Sequence, residues 1–277
     1  MPLARDIDEV VAHLDALLAD PAIGQTRLGL FPALYRQVTL RVREGIQEGR
    51  FEDGERMNRL DTTFANFYLD AMDAWRRGER PARSWEVSFR FASEPQGLAL
   101  QHLLLGMNAH INLDLGTAAA RTAPGNSIVS MQRDFDRINV LLSSMIDASQ
   151  QALAEFSPSI ALLDRAGHRA DERLAVFSIE KARLSAWRTA CVLAPLQPQT
   201  QQPVVELLDR GVRNLGRLII HPGPAMRLAI LAAQEAESDD IPALVDRLNR
   251  LDDRPTPPPK QKAERKGKKK APKKRPD

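Results

Sequence analysis

Residues 96–120 constrain the fold more than any other stretch of the chain. Placed on a helix of 3.6 residues per turn, the apolar residues between Gln101 and Leu115 point in every direction, which is the pattern of a helix surrounded by protein. The remaining chain must therefore wrap it. The same stretch carries Gln101, His102, Asn108, His110, Asn112 and Asp114, and these fall into two stripes. His102, His110 and Asp114 share about 120° of the wheel, with Gly106 inside that arc; Gln101, Asn108 and Asn112 form a second group roughly opposite. A buried polar group costs about 1–3 kcal/mol unless it is hydrogen-bonded, so each stripe needs a partner.

The rest of the chain reads as helices. Ile7, Val10, Val11, Leu14, Leu17 and Leu18 repeat at helical spacing, and Asp20-Pro21 closes that run. Further helices are predicted from near Pro32, from near Glu55 to Gly78, over 84–92, over 128–156, over 159–166 and over 170–194. Pro198 to Pro203 reads as a Gln/Pro linker, followed by two or three short helices to about Leu251. Strand patterns are nearly absent. The expected fold is all-α, a single multi-helix domain around the buried central helix. Residues 1–195 form its core, 196–253 add C-terminal helices on or after it, and 254–277 form a disordered Lys/Pro-rich basic tail.

Charge separates tail from body. Residues 254–277 hold eleven Lys/Arg against Glu264 and Asp277, a net +9, while the whole 277-residue chain is only +3. Residues 1–253 are therefore mildly acidic, and a nucleic-acid role for the body loses its support. The tail suits nucleic acid or an acidic partner electrostatically, but it has no aromatic residue for base stacking, and a solubilising role is the plainer expectation. One cysteine, Cys191, excludes an intrachain disulfide and a four-cysteine zinc site. The polar start and the lack of any 18-residue uncharged apolar run predict no transmembrane segment and a cytoplasmic location.

His110 and Asp114, four residues apart, put an imidazole and a carboxylate on one face. Such a pair serves acid–base catalysis, the carboxylate orienting the imidazole, or supplies metal ligands together with His102. His168 and Glu172 repeat the spacing, as in helical zinc phospholipases and nucleases. Asn108, Asn112, Asp61, Asp136, Arg183 and Trp187 are candidate ligand-binding residues on the flanking helices. Gly106 leaves room on the histidine stripe for a ligand, a water or another backbone. The expected function is a buried polar pocket for a small ligand or metal, hydrolytic in the enzymatic version. The alternative is a non-catalytic interaction or scaffold protein whose stripes only fix helix register. HExxH, GxGxxG, Walker A and GxSxG motifs are absent, and no cofactor is implied.

The block from Leu105 to Leu115 is similar to the hallmark of a bacterial family, domain of unknown function 5995. Phe31-Pro32-Ala33-Leu34-Tyr35-Arg36, Leu60-Asp61-Thr62-Thr63-Phe64-Ala65-Asn66, Asp134-Phe135-Asp136-Arg137-Ile138-Asn139 and Ala182-Arg183 with Ala186-Trp187 agree with it. The resemblance spans about residues 5–195. It implies a helical domain and brings no activity.

Overall fold

The computed structural model describes residues 2–94, 97–157 and 179–251. Among them are twelve α-helices and no strand: α1 (Ile7–Ala19), α2 (Pro21–Gly24), α3 (Leu30–Gln47), α4 (Gly54–Arg76), α5 (Arg83–Ala92), α6 (Ala99–Ala109), α7 (Gly116–Thr122), α8 (Ser127–Phe156), α9 (Ile179–Leu193), α10 (Pro198–Ile220), α11 (Pro224–Gln234) and α12 (Ile241–Leu248). The fold is all-α, as the apolar periodicity requires. The His168/Glu172 pair, the helix expected over 159–166 and the basic tail lie outside the described residues.

α6, a π-helical turn over His110–Leu115, and α7 run on as one rod. α3, α4, α5, α9 and α10 all pack against it. Small residues let these helices approach closely. A Cβ on Gly116 would stand 2.7 Å from the Ala186 carbonyl oxygen, so α9 crosses α7 nearly backbone to backbone. Ala118, Ala119 and Ala120 of α7 are fully buried, and Ala182, Ala186 and Ala190 face them from α9. Gly216 does the same for α10, where a Cβ would meet Leu105 and Asn108 of α6. α12 closes the far side. Its Ile241, Leu244, Val245 and Leu248 join Leu30 of α3, Leu103 of α6 and Leu153 of α8 in one apolar cluster.

One expectation needs correcting. Pro198–Pro203 is not a linker but the start of α10, a 23-residue helix. Pro198 stands in the first turn, where a missing N–H costs nothing. Pro203 lies one turn further in. The Gln201 amide ties this stretch down by donating to the Leu193 and Leu196 carbonyls at 3.0 and 3.1 Å.

Several helix starts are capped from far away in sequence. α5 follows Ala82, which has no capping oxygen; Asp209 of α10 accepts from the Arg83 and Ser84 backbone N–H at 2.9 Å each. α6 follows Leu98; the Glu237 carboxylate accepts from Ala99 N–H at 3.2 Å. The loop into α4 is held by Asp134 of α8, which is fully buried. Its carboxylate accepts from the Glu52 and Asp53 N–H at 2.7 and 3.0 Å, from Arg56 at 3.0 Å and from Arg137 at 2.8 Å. Burial works to raise its pKa, but these four donors outweigh it and hold Asp134 below the usual carboxylate value of 3.8. A folded-state pKa below the unfolded one adds stability above pH 4 that is lost as the pH falls through the folded value. Asp134→Asn should lower the urea-unfolding free energy at pH 7 by about 2–4 kcal/mol, with the deficit shrinking by pH 3. An equal deficit at both pH values would show that the charge of Asp134 is not what holds the loop.

Candidate functional site

The π-helical turn places the histidine. In such a turn the N–H bonds reach back five residues instead of four, and the wider turn changes how side chains four apart align. His110 Nδ1 and Asp114 Oδ2 meet at 3.1 Å, both groups buried. The indole N–H of Trp85 on α5 donates to the same oxygen at 2.9 Å. Asp114 is thus held by α5 and holds His110 in turn. The imidazole is packed among rings: Phe64 of α4 stacks on it with centroids 3.5 Å apart, and Tyr35 of α3 meets it edge-on at 4.5 Å. Phe31 and Trp85 complete the surround at 5.5 and 5.9 Å.

Burial drives both members of this pair toward their uncharged forms, His110 well below the usual imidazole range and Asp114 well above the usual carboxylate range. One proton lies between Nδ1 and Oδ2. With Asp114 ionised and the proton on Nδ1, Nε2 offers a lone pair; with Asp114 protonated and donating to Nδ1, a second proton taken up by the pair sits on Nε2, which then offers an N–H. Nε2 is buried and has no hydrogen-bond partner.

Nε2 is not the only polar atom left over there. His110 lines a cavity of about 240 Å³ between α3, α4, α6, α8 and α9, whose walls are chiefly apolar, with Val38, Phe64, Leu103, Met107 and Leu142 among them. Tyr35 and Asp61 line the same cavity, and the Tyr35 hydroxyl and Asp61 Oδ2 are also buried without a partner. No hydrogen bond or ion pair compensates Asp61, and burial alone pushes its pKa up to about 7. Burial, then the Asp61 charge, raises the Tyr35 hydroxyl well above its usual range.

The candidates named from sequence are sorted by this geometry. His110, Asp61 and Arg183 line the cavity, and Asp114 stands behind His110. His102 is directed elsewhere, its ring against Phe91 at 4.6 Å. His102, His110 and Asp114 therefore do not converge, and among the described residues no group of three His, Cys, Asp or Glu is arranged to hold a metal ion. The second stripe is bound to protein. Gln101 donates to the Ile219 carbonyl at 2.8 Å, Asn108 to the Val212 carbonyl at 2.9 Å, and Asn112 to Asn108 Oδ1 at 3.0 Å. Asn108 and Asn112 thus fasten the rod to α10 and do not line the cavity. Asp136 is exposed, and Trp187 packs on Phe135 at 5.0 Å in the core. The space beside Gly106 is taken by a side chain. A Cβ there would come within 2.5 Å of the Phe31 ring, which fills it.

Tyr35, Trp85 and Phe64 were not singled out as site residues by sequence. Each sits on the apolar face of its own helix, where an aromatic residue reads as core. Only the packing of α3, α4 and α5 onto the rod turns them toward His110.

An all-α domain with a largely apolar cavity lined also by His110, Tyr35, Asp61 and Arg183 is the class of protein this geometry defines. The chain belongs to the family of unknown function DUF5995, whose model matches residues 7–222. The match extends past residue 195 through α10, the helix that anchors Gln101 and Asn108. No curated protein and no solved structure matches the chain. Among the described residues no helix is long and apolar enough to cross a membrane.

Two consequences are measurable. Gly106→Ala should cost about 1–3 kcal/mol, because Phe31 is already in contact with Tyr35, Tyr68 and Trp85 and has little room to yield. Unchanged stability would mean that Phe31 does not occupy that space. For Asp61 the sign is opposite to that for Asp134: a folded-state pKa of about 7, above the unfolded value of 3.8, means stability is lost as the pH rises between the two. Asp61→Asn should therefore gain on the wild type by up to about 4 kcal/mol between pH 4 and pH 8, read as the change in their melting-temperature difference. A difference that does not move with pH would place Asp61 in contact with water or a cation.

Proposed function

We propose that this protein binds a small, largely apolar molecule in the cavity beside His110, with one polar group of the ligand meeting Asp61, Tyr35 and His110. The observation that carries this reading is the collection of unpartnered buried polar atoms from three helical segments at one apolar cavity. Each such atom costs about 1–3 kcal/mol, and buried polar groups in folded proteins are otherwise almost always satisfied. A ligand bearing a hydroxyl or carbonyl offsets that cost, and an apolar body fills the rest.

In the enzymatic version of this reading His110 is the residue facing the ligand and Asp114 is its positioning residue. Asp61, near neutrality in its titration, takes or gives a proton at physiological pH. A hydrolytic step would use Nε2 or the Asp61 carboxylate to deprotonate water. A metal-dependent version is not favoured, because His102 lies against Phe91. The scaffold alternative draws its support from the Gln101, Asn108 and Asn112 stripe, whose bonds to α10 and to each other are structural.

Calorimetric titration with p-cresol and with toluene tests the polar end, since the two differ by one hydroxyl. The full-length protein should bind p-cresol roughly tenfold more tightly, about one net hydrogen bond. Asp61→Leu should abolish that preference while leaving toluene binding intact. Equal affinities in the wild type, or no binding of either, would overturn the reading.

A further inference from the structure

We infer that the ligand of this cavity carries a carboxylate, and that Arg183 is the residue that receives it. This rests on the cavity reading above and adds the ligand's charge.

Arg183 on α9 lines the cavity and is only 4% exposed. Its Nε donates to Asn139 Oδ1, its Nη2 donates to the Phe135 carbonyl at 2.6 Å, and its guanidinium lies over the Phe135 ring, 4.5 Å from the centroid. These contacts fix the plane of the group. A guanidinium has five N–H donors, and only two are engaged. Among the described residues Nη1 has no hydrogen-bond acceptor and no carboxylate lies within ion-pair distance of Arg183. Asp136, whose charge does reach Arg183, is exposed. The other carboxyl of the cavity, Asp61, has burial as the sole cause of its shift, so the two groups do not pair.

Burial lowers Arg183 to about 10, which still leaves it charged at neutral pH. Among the described residues this cation is thus buried without an anion, an arrangement that costs several kcal/mol unless a counter-charge arrives. Phe135 and the two acceptors offset part of this and also orient the fork. The remaining edge, Nη1 with the second hydrogen of Nη2, presents the two parallel donors that a carboxylate accepts. A cavity of 240 Å³ compares with the roughly 150 Å³ that holds benzene, and so suits an acid of about ten non-hydrogen atoms. A medium-chain or small aromatic acid that also bears a hydroxyl has the right size and an apolar body for these walls, its carboxylate meeting Arg183 and its hydroxyl meeting Asp61, Tyr35 and His110.

Octanoate and octan-1-ol have the same length and differ in charge, and both are titrated into the full-length protein by calorimetry at pH 7.5. We expect octanoate to bind at least tenfold more tightly than octanol. Repeating the pair at about 0.5 M NaCl separates the cavity from the basic residues of 254–277, because salt screens charges in water and leaves a buried contact largely unscreened. A preference that persists in salt supports the inference; one that disappears overturns it. Arg183→Met should bring octanoate down to the affinity of octanol or below, with octanol changed by less than threefold. Retention of the preference in Arg183→Met also overturns it. The wild-type comparison in salt stands by itself if that variant does not fold. If p-cresol binds but octanoate shows no advantage over octanol, the carboxylate assignment falls and the cavity reading stands. If neither octyl probe nor p-cresol binds, both fall.

Discussion

Burial of the α6–α7 rod on every side is the constraint on which the structure depends. A helix enclosed by five others gives most of its side chains little or no access to water, so each buried polar group on it must find a partner in the protein or stand unsatisfied. The small residues Gly116, Ala118, Ala119 and Ala120 let α9 approach closely, and Gly216 lets α10 do so. Gly106 admits an aromatic ring from α3. The rod is therefore gripped by backbone and ring contacts, and there is little slack around its polar groups.

The two stripes of the rod meet different ends under that constraint. Gln101 and Asn108 reach carbonyls of α10, which lie within α10 and toward its C-terminal turn, while Asn112 closes onto Asn108. These bonds set the register of two helices, and none of the three residues lines the cavity. On the other side, Asp114 is held by Trp85 and His110, but the far nitrogen of His110 is buried without a partner in a residue that lines the cavity. The π-helical turn separates these outcomes. Inserted between α6 and α7, it changes the rotation of the rod just where His110 and Asp114 lie.

The same economy of partners recurs at the periphery. Asp134, Asp209 and Glu237 each receive backbone N–H groups from segments between about 80 and 140 residues away. They stitch α8 to the entry of α4, α10 to α5, and the C-terminal segment to α6. Arg183 differs from Asp134 and Asp209 in one respect: they are buried with their complement present, and it is buried with no carboxylate beside it among the described residues.

The helical class, the enclosure of residues 99–122 and the pairing of His110 with Asp114 were legible in the sequence. All three follow from spacing along one chain segment: apolar residues all round a wheel mean enclosure, and two side chains four residues apart on a helix are neighbours whatever surrounds them. Asp61 and Arg183 were legible as polar residues in apolar helices, but which of the candidates would share a space was not. Asp61 reaches the cavity of His110 and Asp136 does not, and the difference is set by how α4 and α8 are rotated against the rod. The linker expected over 198–203 became helix because Gln201 bonds to the end of α9, a contact with no local signature. The gap at Gly106 was visible as a missing side chain, and its occupant, Phe31, lies 75 residues earlier. The sequence by itself thus determined the elements and the local pairs, since these depend on periodicity and short-range geometry. Tertiary structure alone decided that one stripe of the enclosed rod would be tied to α10 and that His110 of the other would line a cavity, because helix rotation and interhelical distance are set by side chains far apart in the chain.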